Sequence, residues 1–473
     1  MKRTLIGLLS LLTFAIVASA CATTPAPAAP TAAPAAATSA PAAPKATTAP
    51  TTAAPAKRVE AEFWFGLGKP LGDILEALVA DFNKSQSQYQ INAVFKGGYA
   101  DTMNAAIAAY RAGKAPHIVQ MFEVGTATMM AAKGAIKPVF ELAKETGVNL
   151  DPKTYIPAVR GYYSEGGNMI SMPLNSSTPI VYYNKDVFKK AGLDPNKPPK
   201  TWNETRAMAK QIVDSKASAC GFAFAWPTWT QTENFSAIHN VPLATKANGM
   251  QGLDTELKIN SDLHVRHLQL FMDMQKEGTY KYGGRDGAGE SLFISGECPI
   301  MHTSSGFRAR VTSEAKFEWG VTMLPYYEDV ISAPKNSIIG GASLWVMNSP
   351  GRTADEFKAV AEFFRYISQP DVDAKWHQAT GYVPISMGGF ERTKAAGFYE
   401  KTPGTDLPYL QLTRTEPTEN SLGLRLGDMP QIRTIIYEEF EKAFQGQQTA
   451  KQAMDNAVRR GNEVLRAFEK TYK

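Results

Sequence analysis

The chain has 473 residues, a net charge of +5, and a composition that is 44% apolar and 10% aromatic. This apolar content excludes global disorder, and the length exceeds one ordinary hydrophobic core, which predicts two lobes. Lys2, Arg3, Lys45 and Lys57 account for most of the net positive charge. The remainder is therefore close to neutral, and neither nucleic acid nor an anionic membrane surface is an expected partner.

The N-terminus has the pattern of an export signal. Lys2 and Arg3 precede an apolar run over residues 5–17, and small residues then lead to Cys21. The run is shorter than the roughly 20 residues that a membrane-spanning helix needs. The small residues before the cysteine resemble the lipobox of bacterial lipoproteins, in which the signal is removed and the cysteine is acylated. We expect residues 1–20 to be the signal peptide and Cys21 to carry lipid; a plain signal peptide with a chance cysteine is the alternative.

Residues 21–57 consist almost entirely of Ala, Pro and Thr after the cysteine. Such a segment has no apolar surface to bury, and its repeated prolines block helical hydrogen bonds. It is therefore predicted to be a disordered tether. The protein is expected outside the cytoplasm, anchored to the cell membrane as a lipoprotein and touching the membrane through the lipid only.

Strands and helices are predicted to alternate in the rest of the chain. Apolar periodicity predicts helices over 73–82 and from Trp202, where Thr201 and Glu204 form a capping box, and a last helix near the C-terminus. The predicted strands are 61–65, 117–122, 180–183, 221–225, 300–303, 321–324 and 344–347. This alternation indicates an α/β protein with mostly parallel sheets.

Two motifs invite a cofactor or metal interpretation. The glycine-rich run 66–72 follows a strand as a dinucleotide-binding loop does, but its third glycine is one residue late and Pro70 removes an amide, which favours a tight turn. His264 and His267 are three apart on a predicted helix, but no carboxylate or cysteine completes a metal set, which favours a solvated helix face. No cofactor, metal or catalytic residue is therefore expected.

Beyond Cys21, the cysteines are Cys220 and Cys298. An extracytoplasmic protein permits a disulfide between them. Two buried free thiols are nearly as well supported by the sequence, and the spacing fits no metal motif. Both alternatives stay open at this point.

Small, hydroxylated and aromatic residues cluster at the ends of several predicted strands. Glycines let backbone amides approach a ligand, and hydroxyl groups donate further hydrogen bonds. Because the clusters are spread over several hundred residues, they favour a cleft closed by two lobes over a single local motif. They occupy 96–99, 122–126, 174–178, 303–306, 339–345, 380–384 and 423–430.

These clusters, together with 182–186, 198–202 and 429–433, resemble the sn-glycerol-3-phosphate-binding proteins of ATP-binding-cassette importers, in extracellular solute-binding protein family 1. The resemblance implies a two-lobed, class II periplasmic-binding-protein fold like that of maltose-binding protein. It implies a monomeric receptor that is no enzyme and delivers its ligand to a membrane permease. The lobes are expected to comprise 58–176 plus 320–368 and 177–319 plus 369–473.

By the same resemblance, nine residues are expected to bind glycerol 3-phosphate or a glycerophosphodiester such as glycerophosphocholine. Four are expected around the phosphate, hydroxyls of two others add contacts, the tryptophans cover the carbon skeleton, and Glu123 accepts from glycerol hydroxyls. Glu123 is expected at the opposite end of the pocket from Arg433, because a carboxylate repels phosphate. The nine are Tyr99, Glu123, Ser177, Trp226, Trp229, Ser304, Gly341, Tyr382 and Arg433.

Simpler interpretations remain for single residues and for the whole chain. Glu123 can be a carboxylate at a helix start, Arg433 a structural ion pair, and the tryptophans core residues. A sugar-binding receptor of the same fold would not need Arg433, and an exported phosphodiester hydrolase would need a nucleophile or metal set that the sequence does not show. Phe122 stands where the family commonly has a tyrosine, so a nearby hydroxyl is lost. The glycine-rich segment 280–289 differs from the relatives and has no explanation from sequence.

Overall fold

The computed structural model describes residues 57–472. The predicted signal peptide, Cys21 and all but the last residue of the predicted tether lie outside the described residues. The described residues form one compact unit.

Twelve strands are present among the described residues. They are β1 (Val59–Phe65), β2 (Tyr89–Phe95), β3 (Ile118–Phe122), β4 (Ile136–Lys137), β5 (Ser164–Glu165), β6 (Asn168–Met169), β7 (Met172–Ser177), β8 (Pro179–Asn184), β9 (Phe222–Phe224), β10 (Ile300–Ser304), β11 (Trp319–Thr322) and β12 (Gly340–Met347).

The helices of the described region lie mostly between these strands. They are α1 (Leu71–Ser85), α2 (Tyr99–Arg111), α3 (Thr126–Ala131), α4 (Val139–Thr146), α5 (Pro157–Tyr162), α6 (Lys185–Lys190), α7 (Trp202–Asp214), α8 (Asn234–Ile238), α9 (Thr245–Asn248), α10 (Asp262–Lys276), α11 (Glu290–Ile294), α12 (Arg308–Glu314), α13 (Ala354–Ile367), α14 (Pro370–Thr380), α15 (Met387–Ala395), α16 (Phe398–Lys401), α17 (Leu407–Leu412), α18 (Met429–Phe444) and α19 (Ala450–Tyr472).

Two sheets organise the molecule. The first has the order β2-β1-β3-β12-β4, with β7 also paired to β12, and the second has the order β11-β8-β10-β9. Each sheet is packed against its own helices; for example, the buried apolar residues of β1 lie in one core with those of α1 and α13. In the second sheet, β9 shares a core with residues of α7 and α10.

The prediction of mostly parallel sheets is wrong. β1 is parallel to both β2 and β3, and β10 is parallel to β9. β12, however, is antiparallel to all three of its neighbours, and β8 is antiparallel to β10 and β11. Apolar runs indicate burial on both faces of a strand but carry no information about its direction, so the two sheets are mixed.

The sheet memberships show where the chain passes between the lobes. β7 belongs to the first sheet and β8 to the second, so the first passage lies next to the predicted one near Ser176. Gly320 lies inside β11, which pairs with β8, so the return passage lies between β11 and β12, later than predicted. Beyond the predicted passage at Ser368, α14 still contributes Trp376 to the core of the first sheet. The complete lobe ranges stay a prediction.

The capping box predicted from the sequence is present in the structure. The Thr201 hydroxyl accepts a hydrogen bond from the Glu204 amide at 3.2 Å, and the Glu204 carboxylate accepts one from the Thr201 amide at 3.2 Å. This confirms the capping box at the start of α7.

Within residues 57–472, no helix combines the length and the apolar character that crossing a membrane requires.

Candidate functional site

One cavity of about 290 Å³ is lined by residues from both sheets. Ser177 and Gly341 come from β7 and β12 of the first sheet, whereas Ser304 ends β10 of the second sheet. All nine residues predicted from the sequence line this cavity: Tyr99, Glu123, Ser177, Trp226, Trp229, Ser304, Gly341, Tyr382 and Arg433. The fold therefore brings together residues from eight separate parts of the chain.

Arg433 is held at one end of the cavity by two carboxylates. Its Nε and Nη2 donate to the two oxygens of Glu233 at 2.7 Å each, and Nη2 also donates to Oε1 of Glu123 at 2.6 Å. Nη1 donates no hydrogen bond to any residue between 57 and 472. All three side chains are buried. Arg433 therefore has one nitrogen left for a ligand.

This geometry corrects the prediction that Glu123 lies at the opposite end of the pocket from Arg433. The two side chains are paired at 2.6 Å. Glu233, which the sequence analysis missed, is the bidentate partner of Arg433. It lies in the π-helical turn Trp229–Glu233, four residues after a predicted site residue. No sequence motif marks Glu233, because its role depends on a residue 200 positions away.

The electrostatics of this cluster follow from burial and pairing. Burial raises the pKa of Glu123, the Arg433 charge opposes this rise, and the Glu233 charge adds to it. Burial lowers the pKa of Arg433, but the two carboxylates outweigh it and leave the pKa well above its usual value. The guanidinium therefore stays charged, and this end of the cavity has no excess positive charge for an anion.

Neutral hydrogen-bond donors also line the cavity. The Asn175 amide donates to the Tyr99 hydroxyl at 2.8 Å and accepts from Gln120 at 2.8 Å, and Gln120 in turn accepts from the Gly66 amide at 2.8 Å. This chain of buried amides fixes the Tyr99 hydroxyl. Burial raises the pKa of Tyr382 to about 12, and it raises the pKa of Tyr99 well above its usual value. Both phenols therefore remain protonated and can donate.

Phe122, which stands where the family commonly has tyrosine, has a packing role. The Phe122 ring stacks on the Tyr99 ring with centroids 5.6 Å apart and an angle of 16° between the planes. An apolar ring suits this position because it supports the Tyr99 ring face, which needs no hydroxyl.

Gly341 is required by its backbone conformation. Its φ is +94°, and a Cβ at this position would lie 1.8 Å from the carbonyl oxygen of Asn175. No side chain fits there, so the backbone of β12 comes directly to the cavity wall. The expected contact between the Gly341 amide and a ligand stays a prediction.

The two tryptophans are held in different ways. Trp229 is buried against Gly340, where a Cβ would lie 2.4 Å from its ring, and its Nε1 has no partner among the described residues. Trp226 has a φ of +53°, and its amide donates to the carbonyl of Asp286 at 2.6 Å. Gly287 lies against the Trp226 ring, with a built Cβ 3.4 Å from it. The glycine-rich segment 280–289 therefore supports Trp226.

Three further parts of the cavity wall were missed from the sequence. Residues 66–71, which follow β1 and end at the first residue of α1, line the cavity, although the glycine-rich run was predicted only as a turn. Glu290 and Arg310 also line it, and their side chains approach to 3.7 Å. The position of 66–71 after the first strand was a usable signal, since ligands bind at the carboxyl ends of strands in open α/β sheets.

The prediction that His264 and His267 lie on a solvated helix face is wrong. His264 and His267 are both buried, and they bond to Ser236 and Gln231 at 2.8 Å and 3.2 Å. Burial lowers the pKa of His264 to about 4. Among the described residues, no group of His, Cys, Asp and Glu side chains could hold a metal ion.

Cys220 and Cys298 form a disulfide, which decides the alternative that the sequence left open. The bond connects the segment before β9 with the segment before β10, and these two strands are hydrogen-bonded neighbours. It therefore lies within the second sheet region and away from the cavity lining.

Residues 77–393 match the family model of the bacterial extracellular solute-binding proteins. The chain belongs to the bacterial extracellular solute-binding proteins. It is 48% identical over 418 residues to the sn-glycerol-3-phosphate-binding periplasmic protein UgpB of Yersinia enterocolitica, covering 88% of this chain and 94% of that one. It is 48% identical over 413 residues to the UgpB of Brucella abortus, covering 87% and 94% of the two chains.

Solved structures establish the fold of this solute-binding protein. UgpB from Mycobacterium tuberculosis in complex with glycerophosphocholine superposes with a TM-score of 0.72 at 19% identity, covering 87% of this chain and 99% of that one. The GacH receptor of Streptomyces glaucescens superposes with a TM-score of 0.72 at 16% identity, covering 87% and 100%. The predicted two-lobed, maltose-binding-protein-like fold is confirmed.

Proposed function

We propose that this solute-binding protein binds glycerol 3-phosphate or a glycerophosphodiester such as glycerophosphocholine, and delivers it to the membrane permease of an ATP-binding-cassette importer. The observation that carries the proposal is that all nine residues predicted for this ligand class line one cavity. The relatives named for sn-glycerol 3-phosphate support it, at 48% identity over most of both chains. The protein acts as a carrier that breaks no bond.

We further propose that a lipid on Cys21 anchors the protein at the outer face of the cell membrane, with residues 22–57 as the tether. The binding body acts as a monomer outside the cytoplasm. Ligand-driven closure of the two lobes signals the loaded state to the permease, because the closed form alone offers contacts from both lobes.

The glycerol end of the ligand fits the Glu123–Arg433 pair. A diol both donates and accepts hydrogen bonds. Its hydroxyl groups can donate to the Glu123 carboxylate and accept from Nη1 of Arg433. A phosphate at this position would instead meet the buried carboxylates of Glu123 and Glu233, both within 2.7 Å of Arg433. We therefore move Arg433 from the phosphate end, where the resemblance placed it, to the glycerol end.

The phosphate fits the wall made of hydroxyl groups and a backbone amide. A phosphate is expensive to strip of water unless its oxygens find donors. The donors there are those of Tyr99, Ser177, Ser304, Gly341 and Tyr382, which all line the cavity. Arg310 lines the same cavity and adds a positive charge. The unpartnered Nε1 of the buried Trp229 offers one more donor to the ligand.

The proposal is tested by calorimetric titration of the purified residues 57–473 with glycerol 3-phosphate, glycerophosphocholine, glycerol, inorganic phosphate and maltose. We expect one-to-one binding of a glycerophosphate compound, and weaker binding of glycerol and phosphate alone. Binding of maltose with no heat from any phosphate compound would establish the sugar-receptor alternative. Release of choline from glycerophosphocholine by the protein would establish the hydrolase alternative.

A matched pair of variants tests the phosphate wall. Tyr382→Phe removes one donor from the cavity, so the affinity for both glycerophosphate compounds should fall about tenfold or more, as expected for hydrogen bonds to a charged group. The control is Tyr366→Phe, since the Tyr366 ring packs on Phe82 outside the cavity. Equal affinities of the two variants would remove Tyr382 from the site.

A further inference from the structure

Glu290 is a cavity residue to which none of the predicted contacts assigns a role. The Thr303 hydroxyl donates to its Oε1 at 2.8 Å, and the Trp226 side chain hydrogen-bonds to its carboxylate. Nη1 of Arg310 lies 3.7 Å from its Oε2. All but Thr303 line the cavity, and Thr303 immediately precedes the lining residue Ser304.

Resting on the proposed function, we propose that Glu290 is a specificity-determining residue that favours glycerophosphodiesters with a cationic headgroup. The ammonium of such a headgroup contacts the Glu290 carboxylate and the face of the Trp226 ring. The substrate class is therefore zwitterionic diesters, and simple phosphomonoesters are the weaker ligands.

The position of Glu290 agrees with this role. Glu290 acts electrostatically on Tyr382, a donor of the proposed phosphate wall, more strongly than Glu123 does, and Thr303 connects Glu290 to the strand that ends at Ser304. In a diester the headgroup extends from the phosphate. A headgroup beginning at the hydroxyl wall therefore reaches Glu290, whereas the glycerol end points toward Arg433.

The Trp226 ring and the Glu290 carboxylate together suit an alkylammonium group. An indole face attracts a cation, and a neighbouring carboxylate adds a Coulomb attraction in the partly desolvated cavity. The same carboxylate repels the second negative charge of a phosphomonoester. Gly287 lies against one part of the Trp226 ring, and the ring also lines the cavity.

Arg310 does not completely neutralise the negative charge of Glu290. Its Nε donates to the two oxygens of Glu314 at 3.1 and 3.0 Å, so one guanidinium is shared between two carboxylates. The groups that face Glu290 are thus Thr303 of β10, Trp226 after β9, Arg310 and Glu314 of α12, Tyr182 of β8 and Tyr382 after α14. Burial raises the pKa of Glu290 to about 7, so its charge changes between pH 6 and pH 8.

The test is calorimetric titration of the wild-type protein and Glu290→Gln with glycerophosphocholine and glycerophosphoglycerol at pH 6 and pH 8. The second ligand is a diester with an uncharged headgroup. We expect Glu290→Gln to lose about two- to fivefold in affinity for glycerophosphocholine, as for a partly screened ion pair, and to keep or gain affinity for glycerophosphoglycerol. In the wild-type protein the preference for glycerophosphocholine should rise from pH 6 to pH 8, and in the variant it should not change.

The control variant is Glu463→Gln, whose carboxylate is solvent-exposed, pairs with Arg459 and lies outside the cavity lining. It should leave the ratio of the two affinities unchanged. A Glu290→Gln protein with the wild-type ratio, or a wild-type ratio that does not depend on pH, overturns the role of Glu290 while the proposed function stands. Failure of every glycerophosphate compound to bind the wild-type protein overturns the proposed function itself.

Discussion

Replacement of Arg433 by alanine should affect both the stability of this protein and its ligand binding. The change removes three charge-assisted hydrogen bonds of 2.6–2.7 Å. It leaves two carboxylates facing each other, with side chains that are 5% exposed for Glu123 and 0% exposed for Glu233. Removing one partner of a buried ion pair lowers the free energy of unfolding by about 3–5 kcal/mol. The affinity for a glycerol compound should fall at least tenfold, which corresponds to roughly one lost charge-assisted hydrogen bond.

The expected loss of stability depends on pH. The pKa of Glu123 is already raised by burial, and Arg433 is the main group that opposes the rise. In the variant the folded-state pKa is higher still, so the folded state binds a proton that the unfolded state releases. Stability contributed by such a group is present at low pH and lost as the pH rises through the folded-state pKa. The difference from wild type should therefore be smaller at pH 5 than at pH 7.5.

Urea unfolding followed by circular dichroism at both pH values, with calorimetric ligand titration, measures these effects. The double variant Glu233→Gln, Arg433→Met should recover part of the stability, because a buried charge network can be replaced by neutral groups. The control is Arg459→Ala, whose partner Glu463 is solvent-exposed, and a small effect is expected there. Wild-type stability of Arg433→Ala at pH 7.5 would refute the buried-cluster argument.

Three further predictions concern the cavity wall and the disulfide. Gly341→Ala should lower the free energy of unfolding by about 1–3 kcal/mol, since its φ is +94° and a Cβ would meet the Asn175 oxygen at 1.8 Å; urea unfolding checks this, and an unaffected midpoint contradicts it. Trp229→Phe removes the unpartnered Nε1, so titration should show about a tenfold loss of affinity for glycerol 3-phosphate with an unchanged melting temperature. Replacing Cys220 and Cys298 by serine should cost about 4 kcal/mol, from closure of a long loop, and leave ligand affinity as it was; equal stability of the oxidised wild type and the double variant would refute the disulfide's contribution.

The residues that line the cavity were predicted from the sequence better than their arrangement was. Hydroxyl-rich and glycine-rich segments mark places where backbone and side-chain donors are accessible, and this property is local. Glu233 carries no such mark, because its importance comes from Arg433, 200 positions later. The expected separation of Glu123 from Arg433 failed for the same reason: repulsion between a carboxylate and phosphate says nothing about which end of the cavity the arginine occupies.

The fold shows a similar division between local and distant information. The capping box at Thr201 and the strand within 59–65 depend on interactions between near neighbours in the chain. Strand direction did not follow from the pattern, since a strand buried on both faces has the same apolar run in either direction, and β12 is antiparallel to its neighbours.

The sequence by itself, through its patterns and its resemblance to a known family, thus indicated an α/β protein of two lobes and nine residues that line one cavity. Only the tertiary structure decided that Cys220 and Cys298 are bonded, that His264 and His267 are buried, and that Glu123 and Glu233 share Arg433. The physical reason is that burial and charge pairing depend on groups brought together from distant parts of the chain, and no local pattern records which groups those are.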